Sequence, residues 1–173
     1  LSFLWWSGAR IGEAIGDPVA GIPSLSVLDG LLLWKHGWTR TRGKGGKTRT
    51  LVLPKAGRNA IEGQVFEMMD AAVGGGPSAG EGSRGSSWAS AVRHLTETAL
   101  FPSLGGGRLL PQSVNRSLHA AALRAGVRTF GAHALRHAFR TRLRRAGVDV
   151  EIVRALMGHG PRNVTEGYGK VEI

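Results

Sequence analysis

Cysteine is absent from the 173 residues, which removes disulfide frameworks, thiolate zinc sites, iron-sulfur clusters and cysteine nucleophiles together. Any nucleophile must therefore be an oxygen or a nitrogen. Long apolar runs are missing too: stretches such as Leu31 to Trp34 are far too short to cross a bilayer, and no membrane role is expected. No basic stretch, apolar run and small-residue cleavage site follow one another as a signal peptide requires, and Leu1 rather than Met opens the chain. The expectation is a piece of an intracellular, cytoplasmic protein. Acidic residues are scarce, 12 Asp+Glu against 23 Lys+Arg, for a net charge of +11. Eighteen of those cations are arginine, whose planar fork matches phosphate oxygens, so a polyanionic partner is the first expectation. The bland alternative is a GC-rich genome that spells surface cations as arginine, with which 27 glycines also agree.

The length allows one domain of residues 1–173 and argues against a second full one. Leu1, Phe3, Leu4 and Trp5 read as the end of an apolar helix that breaks at Ser7-Gly8, with a short helical piece from Ala9 to Ile15. From Leu31 to Leu53, partly alternating Thr, Val, Leu and Trp about Gly43-Lys44-Gly45-Gly46 predict a basic β-hairpin with its tip at Lys44. Apolar spacing predicts helices over Asn59 to Val73, Ser90 to Leu100, Pro111 to Ala125, Ala132 to Ala146 and Val150 to Met157, with a short segment near Thr165. Residues 74–87 are a low-complexity stretch expected to be a flexible loop. The fold class expected is α+β, mainly helical with one small antiparallel sheet.

The most informative stretch is His133 to Arg145. At roughly 100° per residue Leu135, Phe139 and Leu143 share one stripe, while His133, Arg136, His137, Arg140 and Arg144 share the neighbouring arc. Like charges four residues apart repel by about 0.2 to 0.5 kcal/mol per pair, so a row of arginines suits an anion lying along it better than bare solvent. Downstream, Asp149 is a plausible N-cap, and Val150, Val153, Leu156 and Met157 form an apolar stripe. Gly158 is expected to end that helix and to present His159 in a tight turn. Tyr168 is the sole tyrosine and lies between two glycines.

Competing patterns fit less well. Gly46-Lys47-Thr48 imitates the end of a phosphate-binding loop but has Thr41 where that motif needs glycine. The serine-hydrolase pattern Gly76-Pro77-Ser78-Ala79-Gly80 has no strand before it. His133 and His137 are spaced for zinc, yet Ala134 replaces the glutamate of the protease motif and Arg136 would repel the ion. No metal site and no cofactor are expected.

Taken together, five segments resemble the catalytic domain of the tyrosine recombinase (phage integrase) family. Gly8-Ala9-Arg10-Ile11-Gly12-Glu13-Ala14 is similar to its first-arginine box, and Gly43 to Lys47 with Arg49 and Leu51-Val52-Leu53-Pro54 to its lysine hairpin. His133-Ala134-Leu135-Arg136-His137 resembles its His-x-x-Arg box. Leu156-Met157-Gly158-His159, Thr165 and Tyr168 resemble the segment leading to its nucleophile. The resemblance implies that Tyr168 attacks a DNA phosphate gripped by Arg10 and Arg136, that His133 and His159 assist, and that Lys44 protonates the departing 5′ oxygen. Lys47 is the other candidate for that proton. Arg40, Arg42, Lys47, Arg49, His137, Arg140 and Arg144 are expected to touch double-stranded DNA. The family further implies an amino-terminal core-binding domain and a docking tail, both expected to lie outside this sequence, and a tetramer on DNA. A type IB topoisomerase and a binding remnant that no longer cleaves remain as alternatives.

Overall fold

The computed structural model describes residues 1–43, 46–73 and 88–159. The expected loop at 74–87, the segment near Thr165, and the candidates Lys44 and Tyr168 lie outside the described residues. Helix α1 (Ser2–Ser7) buries Phe3 and Leu4 and stops at Gly8, whose φ of 61° closes the turn with its amide on the Leu4 carbonyl at 3.1 Å. The short α2 (Ile11–Ile15) runs into β1 (Gly16–Asp17), which pairs antiparallel with β2 (Ile22–Ser24). Helix α3 (Val27–His36) follows, then the hairpin of β3 (Trp38–Arg42) and β4 (Thr48–Val52), in register from Trp38 opposite Val52 to Arg42 opposite Thr48. Five helices follow among the described residues: α4 (Lys55–Val73), α5 (Trp88–Glu97), α6 (Pro111–Arg124), α7 (Ala132–Arg145) and α8 (Val150–Leu156). Among the described residues no helix is long and apolar enough to cross a membrane.

The expected α+β class holds, with two two-stranded antiparallel sheets among the described residues instead of one. Leu31 to Trp34, expected to open the hairpin, are helical. The reason is local: Ser26 caps the helix by accepting the Asp29 amide at 3.2 Å, and the Asp29 carboxylate accepts the Ser26 amide at 2.9 Å, a reciprocal box that fixes the first turn. Leu33 is then fully buried on the helix face toward the core. Helix α4 starts four residues before the expected Asn59, directly after Pro54, because a proline cannot sit inside a helix but is tolerated at its entrance. The helices expected over 90–100, 111–125, 132–146 and 150–157 appear with ends shifted by one to a few residues.

Two apolar clusters organise these elements. The larger joins Phe3, Leu4, Leu33, Leu51, Leu53, Ile61, Val65, Leu100 and Leu118, so that α1, α3, the hairpin, α4 and α6 share one core. The smaller joins Phe139, Val153 and Met157 and fastens α8 to α7. Asp29 also accepts the Thr39 hydroxyl at 3.0 Å, which ties the hairpin to α3. Along β3, Thr39 and Thr41 point inward while Arg40 and Arg42 point to solvent, the two-residue alternation of a half-buried strand. The start of α7 is held by α6, whose Asn115 side chain accepts the Ala132 amide at 2.9 Å.

The α1 to α7 contact is narrow at Gly8: a Cβ there would fall 2.3 Å from Phe139 Cδ1. Gly8→Ala should therefore cost about 1 to 2 kcal/mol for the left-handed backbone and about 1 to 3 kcal/mol more for overpacking. Gly126→Ala, at φ 66° with open space around it, should cost only the first amount. Urea unfolding of both variants checks this; equal losses would mean that the Phe139 contact is not tight.

Candidate active site

The centre of the site is Glu13, a carboxylate with no exposed surface on a five-residue helix that is otherwise apolar or glycine. Its Oε2 accepts the Arg10 amide at 2.6 Å, and its Oε1 accepts the Arg10 guanidinium at 2.9 Å. From the hairpin, Arg49 grips the same carboxylate with a two-pronged fork, Nε to Oε1 at 3.0 Å and NH2 to Oε2 at 2.7 Å. Bidentate arginine-carboxylate pairs of this kind are directional as well as strong. Burial alone would push the Glu13 carboxyl up; the hydrogen bonds and charge of Arg49, followed by those from Arg10, outweigh it and hold the carboxyl below its ordinary value. Glu13 is ionised at neutral pH.

Arg136 is the second centre. It is 3% exposed and directs its fork across to other segments: NH1 donates to the Gly8 carbonyl at 2.5 Å, and NH2 donates to the Met157 carbonyl. Burial first, and then the positive charges of Arg10 and Arg49, push its pKa down to about 10, with Glu13 opposing them. It still carries its charge at neutral pH. Helical spacing placed Arg136 in an outward cationic arc. The structure turns it inward beside Phe139, while His133, His137, Arg140 and Arg144 are exposed.

Arg10 joins the two halves. Its side chain is 42% exposed. It borders a hollow of about 280 Å³ with Glu13, Asp17, His133 and Arg136, and a second of about 560 Å³ with Glu13, Lys47, Arg49 and His159. A third hollow of about 550 Å³, lined by Phe3, Ile15, Phe101 and Leu109, has no ionisable side chain and lies apart from this chemistry. His159 is exposed after Gly158, as expected, on the turn where its amide donates to the Arg154 carbonyl at 3.0 Å. Asp149 caps α8 by accepting the Glu151 amide at 2.8 Å. Val153 and Met157 form the buried stripe at α8, but of the others expected there Leu156 is half-buried and Val150, at the helix start, is exposed.

Both histidines sit in positive surroundings. His133 is lowered by partial burial first and then by His137, Arg136 and Arg10; its ring meets that of His137 edge to face at 4.5 Å. His159 is lowered by partial burial and then by Arg136, Arg10, Arg140 and Arg154. Neutral imidazoles of this kind can both donate and accept a hydrogen bond near neutral pH.

Of the residues expected to touch DNA, Arg40, Arg42, Lys47, His137, Arg140 and Arg144 are exposed. Arg49 is not: its side chain is 9% exposed and committed to Glu13 and to the Leu156 carbonyl, which it meets through NH1 at 2.6 Å. The strand pattern could not reveal this, because arginine is ordinarily an exposed residue and alternation alone does not show which cation has a buried carboxylate to meet. Glu13 was the overlooked partner. The available signal was a lone acid among Ile11, Ala14 and Ile15, which must find a cation if the helix is buried.

The phage integrase family model matches residues 3–172. The chain belongs to the phage integrase family. It is 33% identical over 177 residues to the tyrosine recombinase XerD of Mycobacterium tuberculosis, covering 100% of this chain and 47% of that protein. It is 30% identical over 177 residues to the XerD of Caulobacter vibrioides, covering 99% of this chain and 48% of that one. It thus spans about half the length of these relatives. Its fold is like that of the XerA recombinase, at a TM-score of 0.66 and 18% identity over 99% of this chain and 52% of the other. It is also like XerH bound to its difH substrate in a post-cleavage complex, at a TM-score of 0.60 and 21% identity over 92% of this chain and 37% of the other.

Two outcomes follow from this electrostatics. Glu13→Gln strands the Arg49 guanidinium in the interior and should lose about 3 to 5 kcal/mol in urea unfolding at pH 7. The wild-type contribution of Glu13 is present above the ordinary carboxyl value and fades as pH falls through its lowered folded value. A loss below about 1 kcal/mol would contradict a buried ion pair. The rings of His133 and His159 should titrate below 6.5 by NMR, their contribution to stability being complete above that value and declining as pH drops through it. Inorganic phosphate should raise both midpoints; midpoints at or above 6.5 in the free protein would contradict the crowding of positive charge.

Proposed function

We propose that the chain is the catalytic part of a site-specific DNA recombinase that cleaves and rejoins double-stranded DNA through a 3′-phosphotyrosyl intermediate on Tyr168. The observation that carries this reading is the convergence of Arg10, Arg136, His133 and His159 on two hollows that share Arg10 and Glu13. The relatives named tyrosine recombinase, and the XerH complex with its difH substrate, support the same reading.

The Tyr168 oxygen gives up its proton to a neutral imidazole and bonds to phosphorus as the bond to the 5′ oxygen breaks, and that oxygen leaves with a proton from Lys44 or Lys47. Negative charge builds on the nonbridging oxygens as this happens. Two guanidiniums fixed in advance are suited to that charge, because they need not reorganise as the reaction proceeds. A phenol with an ordinary pKa near 10 is a poor nucleophile at neutral pH, and nearby positive charge or a neutral imidazole base makes it a better one. The phosphotyrosine ester is close in energy to the bond it replaced, so a 5′ hydroxyl from a new partner strand can displace the tyrosine by the reverse step. Exposed Arg40, Arg42, His137, Arg140 and Arg144 extend the cationic surface and contribute phosphate contacts. In the complete protein, synapsis of two sites would call for a tetramer acting at the DNA in the cytoplasm.

Nicked suicide duplexes drawn from the source genome should give an SDS-resistant adduct that Tyr168→Phe abolishes. Arg10→Ala should slow adduct formation by about 10²- to 10³-fold. Each of Arg140→Ala and Arg144→Ala should weaken binding on all sequences alike and reduce the log-log salt slope by about 0.9. An adduct that persists in Tyr168→Phe, or affinity that does not vary with salt, would overturn the proposal.

A further inference from the structure

Among the described residues Arg49 is the one hairpin cation that turns away from solvent, and it touches two elements that carry other parts of the site. On one side its fork holds both oxygens of Glu13, the same carboxylate that fixes the amide and guanidinium of Arg10. On the other side its NH1 donates to the carbonyl of Leu156, the last residue of α8, three positions before His159. The turn that follows is built around this side chain. Gly158 has φ 62°, and a Cβ placed there would fall 2.3 Å from Arg49 Cδ. A lysine has no second prong, so it can satisfy the carboxylate or the carbonyl but not both in this geometry.

We infer that Arg49 is a positioning residue: by clamping Glu13 with one edge and the Leu156 carbonyl with the other, it sets Arg10 and the His159 turn in a common frame. The inference rests on the recombinase reading for its effect on rate, but not for its effect on structure. Arg49 does not face DNA. It acts on the reaction through Arg10 and His159 alone, and a misplacement of about 1 Å at such groups can cost about 100-fold in rate.

The test compares Arg49→Gln and Arg49→Lys with the wild type in single-turnover adduct formation between pH 5 and 9, in affinity for a duplex, and in NMR of the Arg10 Nε–H and the His159 ring. In Arg49→Gln the rate should fall about 10- to 100-fold while affinity changes less than about 3-fold. A new loss of rate should also appear on the acid side. Glu13 would keep Arg10 and the more distant charge of Arg136, with Asp17, Lys47 and His159 bordering the same hollows, but would lose its strongest partner, so it would take up a proton at higher pH. Arg49→Lys should restore the pH profile without restoring the full rate. Both resonances should shift in either variant, although Arg10 and His159 stand on different elements.

Loss of rate in proportion to affinity would make Arg49 a DNA contact and overturn the inference. So would an unchanged pH profile in Arg49→Gln, or a shift confined to one of the two resonances. If the variants do not fold, the wild-type Arg49 Nε–H decides: it should be protected from solvent exchange until Glu13 protonates, and an unprotected proton refutes the clamp. An absent adduct in the wild type, with both resonances shifted in the variants, would remove the recombinase reading and leave the clamp standing.

Discussion

A single buried carboxylate holds together more positive charge than it can neutralise. Glu13 faces Arg10 and Arg49 directly, and Arg136 is near enough to feel all three. One negative charge against three positive ones would be untenable in a closed interior. Two features make it tolerable: Arg10 is partly open to solvent, and the backbone carbonyls of Gly8, Leu156 and Met157 accept hydrogen bonds from Arg136 and Arg49. What remains is a concavity with an excess of donors and positive charge, built before any anion arrives. Such a surface is suited to an anion, because donors fixed by folding need not reorganise to meet it. Burial first, and then the same surplus of positive charge, lowers Arg136 to about 10 and both histidines below their ordinary value.

The chain brings these groups together across long sequence separations. Arg136 reaches Gly8 over 128 positions, and Arg49 reaches Leu156 over 107. Each link ends on a carbonyl beside a tight turn, Gly8 after α1 and Gly158 after α8, where a left-handed residue ends the helix. The apolar clusters supply the rigidity. Phe139 packs on Gly8 on one side and joins Val153 and Met157 on the other, so the segments that receive the Arg136 fork are also those its neighbour on α7 packs against.

Much of this was legible in the sequence and some was not, for identifiable reasons. Helices α6, α7 and α8 follow from their apolar spacing and from caps such as Asp149, which act locally. Leu31 to Trp34 misled because a short apolar run carries no period of its own, and the Ser26 to Asp29 box outweighed it. The motif residues Arg10, His133, Arg136 and His159 could be picked out as a set, since their order and intervals resemble those of the tyrosine recombinase motifs. Their burial could not. A helical wheel assigns charge to the outside, yet Arg136 is interior because Gly8 and Met157 offer it carbonyls, a fact that belongs to the tertiary fold. Arg49 illustrates the same limit, being one of five hairpin cations with nothing in its spacing to mark it as Glu13's partner.

The central claim is that Arg10 and Arg136 hold a single backbone phosphate. A structure of the protein on duplex DNA at atomic resolution tests it most directly. Nitrogens of both guanidiniums should lie about 2.7 to 2.9 Å from nonbridging oxygens of the same phosphorus. Arginines resting on different phosphates, or an Arg136 that gives all its nitrogens to carbonyls and none to DNA, would contradict it.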